Sequence, residues 1–509
     1  MKPLKLQASN LLICISLVLA CVNAHAKTIS ISANQAIDAP GRLHIIFTQD
    51  SEREPRLYSA WPVQNVEPLF SQDLDGLGQT LTLDTNTLGG FPFKTMQDLP
   101  AGMWRVQAIY DTNTLDSGIN SPANAYSLPQ AIEIKAGVAP TLNFELNQTV
   151  AADALPEDQA LLKFIKIKSD ILSEFWGSDM YLRAGVLLPA TYYDKPLKKF
   201  PVFFDIGGYG ARYTRAERWY QSEEFQEYWQ ADDTPQMVIV YLDGEAPFGD
   251  PYQINSANNG PYGDATWQEL LGYLNQNFNI VDTAQGRFVS GCSTGGWVSL
   301  ALQLFYPDTF NGAWSYSADG VDFRYFQLVD IYSDDNAFFN EHGQERPSYR
   351  GKDGEVIFSI KREIDMENQM GRGNSYVTSG GQWGGWNAVY SPKLDSGLPA
   401  PIWDPASGEI NKDVAEAWKQ YDLRLYTQKN WQTLGPKLAG KLHIWMGDMD
   451  NFYLNNAMYL FEDMLKSRTE PASDAVFEYK RGVGHCDFNR YDMRKKTIAQ
   501  MYERFQKTR

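Results

Sequence analysis

The sequence predicts an α/β fold: a mainly parallel sheet covered by helices, preceded by an N-terminal β-sandwich and interrupted by an inserted lid. Three observations carry this expectation. From residue 161 to residue 480, continuous apolar runs alternate with helical stretches, the pattern of strands buried on both faces of a sheet. Residues 27–151 show instead short alternating runs separated by turn-rich segments, which suits a small sandwich. Residues 319–438 break the alternation over a length that a compact domain does not leave structureless, so they read as a cap or lid.

Taken in order, residues 1–26 read as a signal peptide. MKPLK gives the positive start, residues 11–20 (LLICISLVLA) the apolar run, and Ala24-His25-Ala26 a small-x-small cleavage site. Ten apolar residues are too few to span a bilayer, and no later stretch is long enough. The expected location is periplasmic or extracellular, where disulfides persist. VLAC at residues 18–21 offers an alternative in which Cys21 carries a lipid anchor.

In residues 27–151, TISIS, RLHIIF, TLTLD, WRVQAIY and TLNFEL are the expected strands. Asp73 and Asp75 resemble part of a calcium loop, but the glycine comes too early and no glutamate closes it, so the segment reads as a solvated turn. Residues 152–160 (ADALPEDQA) form a polar linker. In the remainder, 161–509, strands are expected at 184–189, 201–206, 237–242, 287–291, 312–317, 441–446 and 475–480, and helices at 264–277, 297–305 and 456–466.

At 509 residues, with 43% hydrophobic and 13% aromatic side chains, the chain can build two or three domains with sizeable cores. A formal charge of −17 without a basic cluster excludes nucleic acid as a partner. The acidity reads as solubility.

The chemistry centres on Gly291-Cys292-Ser293-Thr294-Gly295, the one G-x-S-x-G match in the chain. A strand precedes it and a helix follows, the sharp turn that lifts a serine hydroxyl above a parallel sheet. Flanking glycines are needed because such a turn leaves no room for Cβ atoms. Ser293 is therefore the candidate nucleophile, against the plainer reading of a helix N-cap. Of five histidines, His25 leaves with the signal, His44 lies in the β unit, His342 in the lid and His443 in a strand. His485, in the glycine-bounded loop RGVGHCDF after the last strand, is the candidate base.

The acid that orients it is sought after strand KLHIWM, in Gly447-Asp448-Met449-Asp450. Asp450 is preferred because it sits further into the loop, with Asp448 as the alternative or as a brace for the turn. Oxyanion donors are expected from the N–H of Thr294 and from Gly208 or Tyr209 in the loop PVFFDIGGYG. If Ser293 and His485 meet, Cys292 and Cys486 become neighbours as well, and in an exported protein they form a disulfide. Trp383, Trp386, Tyr390 and Trp403 are candidates for an aromatic or sugar-binding face under the lid, weighed against the usual core role of tryptophan.

The order Ser293, Asp450, His485 is that of α/β hydrolases. GCSTGG, with Cys486 directly after His485, resembles the CS-D-HC arrangement of the tannase and fungal-type feruloyl esterase family, in which those cysteines are bridged and a large lid covers the site. Trp297 stands where tannases carry arginine. FPVFFDIGGYG and GWVSLALQLFYPDTFNGAWSYSAD resemble the bacterial esterase family of esterase D and enterochelin esterase, whose members often carry an N-terminal β-sandwich. The resemblance implies a serine ester hydrolase acting on a small-molecule or glycan-linked ester, with no cofactor or metal. Alternatives are acyl transfer or peptide cleavage by the same triad, or a non-catalytic carbohydrate-binding protein on a hydrolase scaffold.

Overall fold

The computed structural model describes residues 27–509; the signal segment and Cys21 lie outside them. Two sheets form the N-terminal unit. Thr28–Ala33 is flanked by Thr80–Asp84 and Leu142–Leu146, while Gly41–Thr48 pairs with Leu69–Leu74 and Gly102–Asp111 in the larger sheet. Ile29, Ile31, Phe144, Leu43, Ile45 and Val106, drawn from both sheets, share one buried core. All five strands expected there are present, because their alternating apolar residues have an opposing sheet to cover them.

The main sheet of residues 161–509 holds eight strands, numbered here within it: β1 Leu162–Ser169, β2 Met180–Leu187, β3 Val202–Ile206, β4 Val238–Leu242, β5 Arg287–Cys292, β6 Ala313–Tyr316, β7 Leu442–Gly447 and β8 Val476–Lys480. Their order is 1-2-4-3-5-6-7-8. β1, β2 and β4 pair antiparallel, and the remaining pairs are parallel. This is the α/β-hydrolase arrangement expected from the sequence. Alternate residues feed two cores: Val202, Phe204, Val238 and Val240 pack on one face, Phe203, Ile239 and Tyr241 on the other.

Among the elements that were not expected, two show why. β1 (LKFIKIKS) sits at the sheet edge, and its three lysines mask the apolar run that betrays a central strand. The C-terminal helix Arg490–Thr508 buries only Thr497, Ile498, Met501 and Phe505, against Phe203, Phe288 and Trp314. Its many charges hide that narrow stripe.

The 319–438 segment is ordered. It contains the hairpin Pro347–Arg350 with Val356–Ser359 and the helices Ile360–Met370, Gln382–Tyr390, Lys412–Trp418 and Leu423–Leu438. The last of these packs on the helix that follows Ser293, so it acts as the crossover from β6 to β7. The lid also grips the N-terminal unit. Buried Arg42 donates to the Gln369 carbonyl (3.2 and 3.1 Å), to Asn374 Oδ1 (2.7 Å) and to Asp73 Oδ1 (2.8 Å). Gly373 N donates to Asp73 Oδ2 at 2.8 Å. Asp73 thus braces this junction. Val63, Val66 and Phe91 pack with Phe358 and Met366 of the lid in one apolar cluster.

Candidate active site

β5 ends at Cys292, Ser293 takes φ 61° and ψ −125°, and the helix Thr294–Phe305 begins at the next residue. A non-glycine residue in that region is strained, which is tolerated where a strand turns abruptly into a helix. Crowding at the turn explains its glycines. A Cβ at Gly291 or at Gly295 would collide with the Ile206 carbonyl oxygen. The chain crosses the β3 backbone so closely that only hydrogen fits.

His485 lies on the loop after β8 and Asp450 on the loop after β7, both at strand carboxyl ends. Nδ1 of His485 is 2.7 Å from Oδ2 of Asp450. Asp450 is fully buried, and its Oδ1 accepts from the N–H groups of Phe452 (2.9 Å) and Leu454 (3.3 Å). The His485 N–H donates to Asn451 Oδ1 at 2.8 Å, fixing the loop. Burial alone would lower the pKa of the imidazole, but the charges of Asp450 and Asp319 and the bond to Asp450 outweigh it, so the pKa is raised. Asp448 points elsewhere: its Oδ1 accepts from Gly482 N at 2.6 Å and holds the two loops together.

Cys292 and Cys486 are disulfide-bonded, with Cα atoms 6.2 Å apart across 194 positions of sequence. The bond ties the residue before Ser293 to the residue after His485. Cys486 N also donates to Ser317 Oγ at 3.1 Å. Ser293 and His485 line one cleft of about 560 Å³ together with Gly207, Gly208 and Tyr209. A Cβ on Gly208 would lie 3.9 Å from that of Ser293. Among the described residues, no protein group accepts from the main-chain N–H of Thr294, Gly208 or Tyr209. The Tyr209 hydroxyl donates to the carbonyls of Gly380 (3.1 Å) and Gly381 (2.7 Å), anchoring this loop to the lid.

The Ser293 hydroxyl donates to Asp319 Oδ1 at 3.3 Å. Sequence reasoning gave this carboxylate no role: it closes the stretch GWVSLALQLFYPDTFNGAWSYSAD and was counted as the first residue of the lid. It is buried, and its Oδ2 accepts from Tyr252 Oη (2.7 Å), Thr294 Oγ1 (3.0 Å) and Trp386 Nε1 (3.2 Å). Burial raises its pKa above the usual carboxylate range; these hydrogen bonds and the nearby His485 only moderate the rise.

Trp383, Trp386, Tyr390 and Trp403 correct an expectation. They are at most 4% exposed and pack on one another and on Phe326, with none on the cleft wall. Their apolar area is taken up by the lid's own core. Aromatic groups that do line the cleft include Trp61, Tyr349 and Phe452, besides Tyr209, Trp219 and Phe488. Trp61 comes from the N-terminal unit, and nothing in its local sequence signals proximity to Ser293.

The remaining histidines stand apart. His44 is fully buried beside Ser71, and burial drives its pKa down. His443 stacks on Trp314, and His342 is exposed. Among the described residues, no group of three or more His, Cys, Asp or Glu side chains is spaced to hold a metal ion. No described helix is long and apolar enough to cross a membrane.

The protein family described as "Putative esterase" matches residues 177–480, more than half of the chain. The chain belongs to this esterase family. It is an enzyme of the carboxylic ester hydrolase class, as the sequence led one to expect. No curated protein sequence matches the chain. Among solved structures, a ferulic acid esterase is similar at 15% identity, covering 68% of this chain and 98% of its own, with a TM-score of 0.40. An S-formylglutathione hydrolase from Agrobacterium tumefaciens is similar at 12% identity over 68% and 98%, with a TM-score of 0.39. The fluorophosphonate-binding serine hydrolase FphF of Staphylococcus aureus is similar at 15% identity over 67% and 98%, with a TM-score of 0.37.

Proposed function

We propose that the protein is an exported serine esterase that works through an acyl-enzyme on Ser293. The observation that carries this reading is the 2.7 Å pair of Asp450 and His485, joined to the cleft of Ser293 by the Cys292–Cys486 bond. In the reaction, Ser293 turns its hydroxyl from Asp319 to Nε2 of His485. The imidazole takes the proton as the oxygen attacks the ester carbonyl. The oxyanion is received by the N–H of Thr294 and that of Gly208 or Tyr209, groups left free for it. His485 then gives its proton to the leaving alcohol, and the C–O bond to that alcohol breaks.

Water, deprotonated by the same imidazole, attacks the acyl-serine and releases the acid. Asp450 holds His485 in the tautomer with hydrogen on Nδ1 and stabilises its charged form. Export fits the presence of a disulfide. The test is turnover of p-nitrophenyl acetate by wild type and by Ser293→Ala. Loss of about 10³-fold or more is expected on the triad's magnitudes, and equal rates would reject the reading.

A further inference from the structure

We infer that the N-terminal β unit completes the substrate cleft, and that Trp61 seats a ring-bearing alcohol portion of the ester. This rests on the serine esterase reading above. Trp61 lies in the loop after Gly41–Thr48, is 47% exposed, and lines the cleft that contains Ser293 and His485. It is held from behind: its ring meets Tyr349 edge-on at 5.4 Å and Phe358 at 5.8 Å, and is tilted over Phe452 at 5.7 Å. Phe452 in turn stands edge-on to the His485 imidazole at 5.0 Å.

This aromatic chain gives the corner a direction. In acyl transfer, the imidazole hands its proton to the departing alcohol, so the alcohol occupies the imidazole's side of the serine. Trp61, Tyr349 and Phe452 border that side, whereas the oxyanion loop Gly207–Tyr209 borders the carbonyl oxygen. A half-exposed indole held by three rings offers a flat apolar plate, suited to an aryl ring by stacking or to the apolar face of a sugar ring. The plate is rigid because the β unit is locked to the lid through Arg42, Asp73 and the Val63–Phe358 cluster. The β unit therefore acts as a wall of the active site and sets the choice of leaving group.

The test keeps the acyl group constant and varies the alcohol. The full-length protein is assayed with ethyl acetate, benzyl acetate and an acetylated methyl glycoside. In wild type, kcat/KM favours one or both ring-bearing esters over ethyl acetate. In Trp61→Ala that preference falls by roughly tenfold, the size of a stacking contact, and Trp61→Phe restores most of it. The benzyl and glycoside arms show which ring is the natural one. A preference that is the same in wild type and Trp61→Ala, with turnover intact, overturns the inference and leaves the esterase reading standing. Wild type that hydrolyses none of the three esters, and whose Ser293 is not labelled by a fluorophosphonate probe, overturns both.

Discussion

Oγ of Ser293 lies 3.3 Å from Oδ1 of Asp319, a buried carboxylate. The site thus holds two acids near its histidine: Asp450 in contact with it, and Asp319 acting through space. Both favour the imidazolium and raise the pKa of His485 above its ordinary 6.5. In the proposed mechanism the neutral imidazole is the base, so activity is expected to be full above the raised pKa and lost as pH falls through it. The acid limb of kcat/KM is expected above pH 6.5. Asp319→Asn removes one of the two charges and is expected to move that limb to lower pH. A pH–rate profile of the two proteins checks this, and coincident limbs would refute it.

Asp450→Asn retains the shape of the buried acid but loses its charge and favours the wrong imidazole tautomer. A fall in kcat of roughly 10³–10⁴-fold is expected. Asp448→Asn alters only a turn bonded to Gly482, so its effect should stay within a few-fold. Steady-state kinetics of the pair separates them, and equal losses would contradict the assignment of Asp450.

Titration of the unfolded, non-reduced protein with a thiol reagent should find neither Cys292 nor Cys486 free. Replacing both with alanine opens a loop of 194 residues. It should lower stability by roughly 2–5 kcal/mol, read from denaturant unfolding. Activity should fall as well, since the loop carrying His485 loses its tie to the strand carrying Ser293. Unchanged activity in the double variant would show that Asn451 and Ser317 hold the loop unaided.

Gly295→Ala places a methyl group against the Ile206 carbonyl. Overpacking of this kind costs roughly 1–3 kcal/mol, and at this position it also displaces Ser293. A loss of kcat greater than the loss of stability is expected, measured by parallel assays and melts.

Much of this was legible in the chain. Most of the seven strands expected in the C-terminal half were visible because strands in the middle of a sheet covered on both faces are apolar throughout, as in VFFDI and VIVYL. The sharp turn at Ser293 was legible because glycines mark places where backbone must approach closely, and the Cys292–Cys486 bond because both cysteines flank residues expected to meet. β1 and the C-terminal helix were hidden by lysine and arginine on surfaces that bury only a narrow stripe. Asp319 and Trp61 were hidden for a different reason. Each is placed by long-range contacts that no local pattern encodes: Asp319 beside Ser293 by Tyr252 and Trp386, Trp61 on the cleft by Tyr349 and Phe452. The lid tryptophans misled because an aromatic-rich segment looks the same whether its rings face a ligand or one another.

The covalent intermediate can be observed directly. Protein mixed with p-nitrophenyl acetate, quenched in acid and digested, should yield the peptide containing Ser293 carrying one acetyl group, absent from Ser293→Ala. Rapid turnover with that peptide unmodified, or acetylation confined to another residue, would contradict Ser293 as the nucleophile.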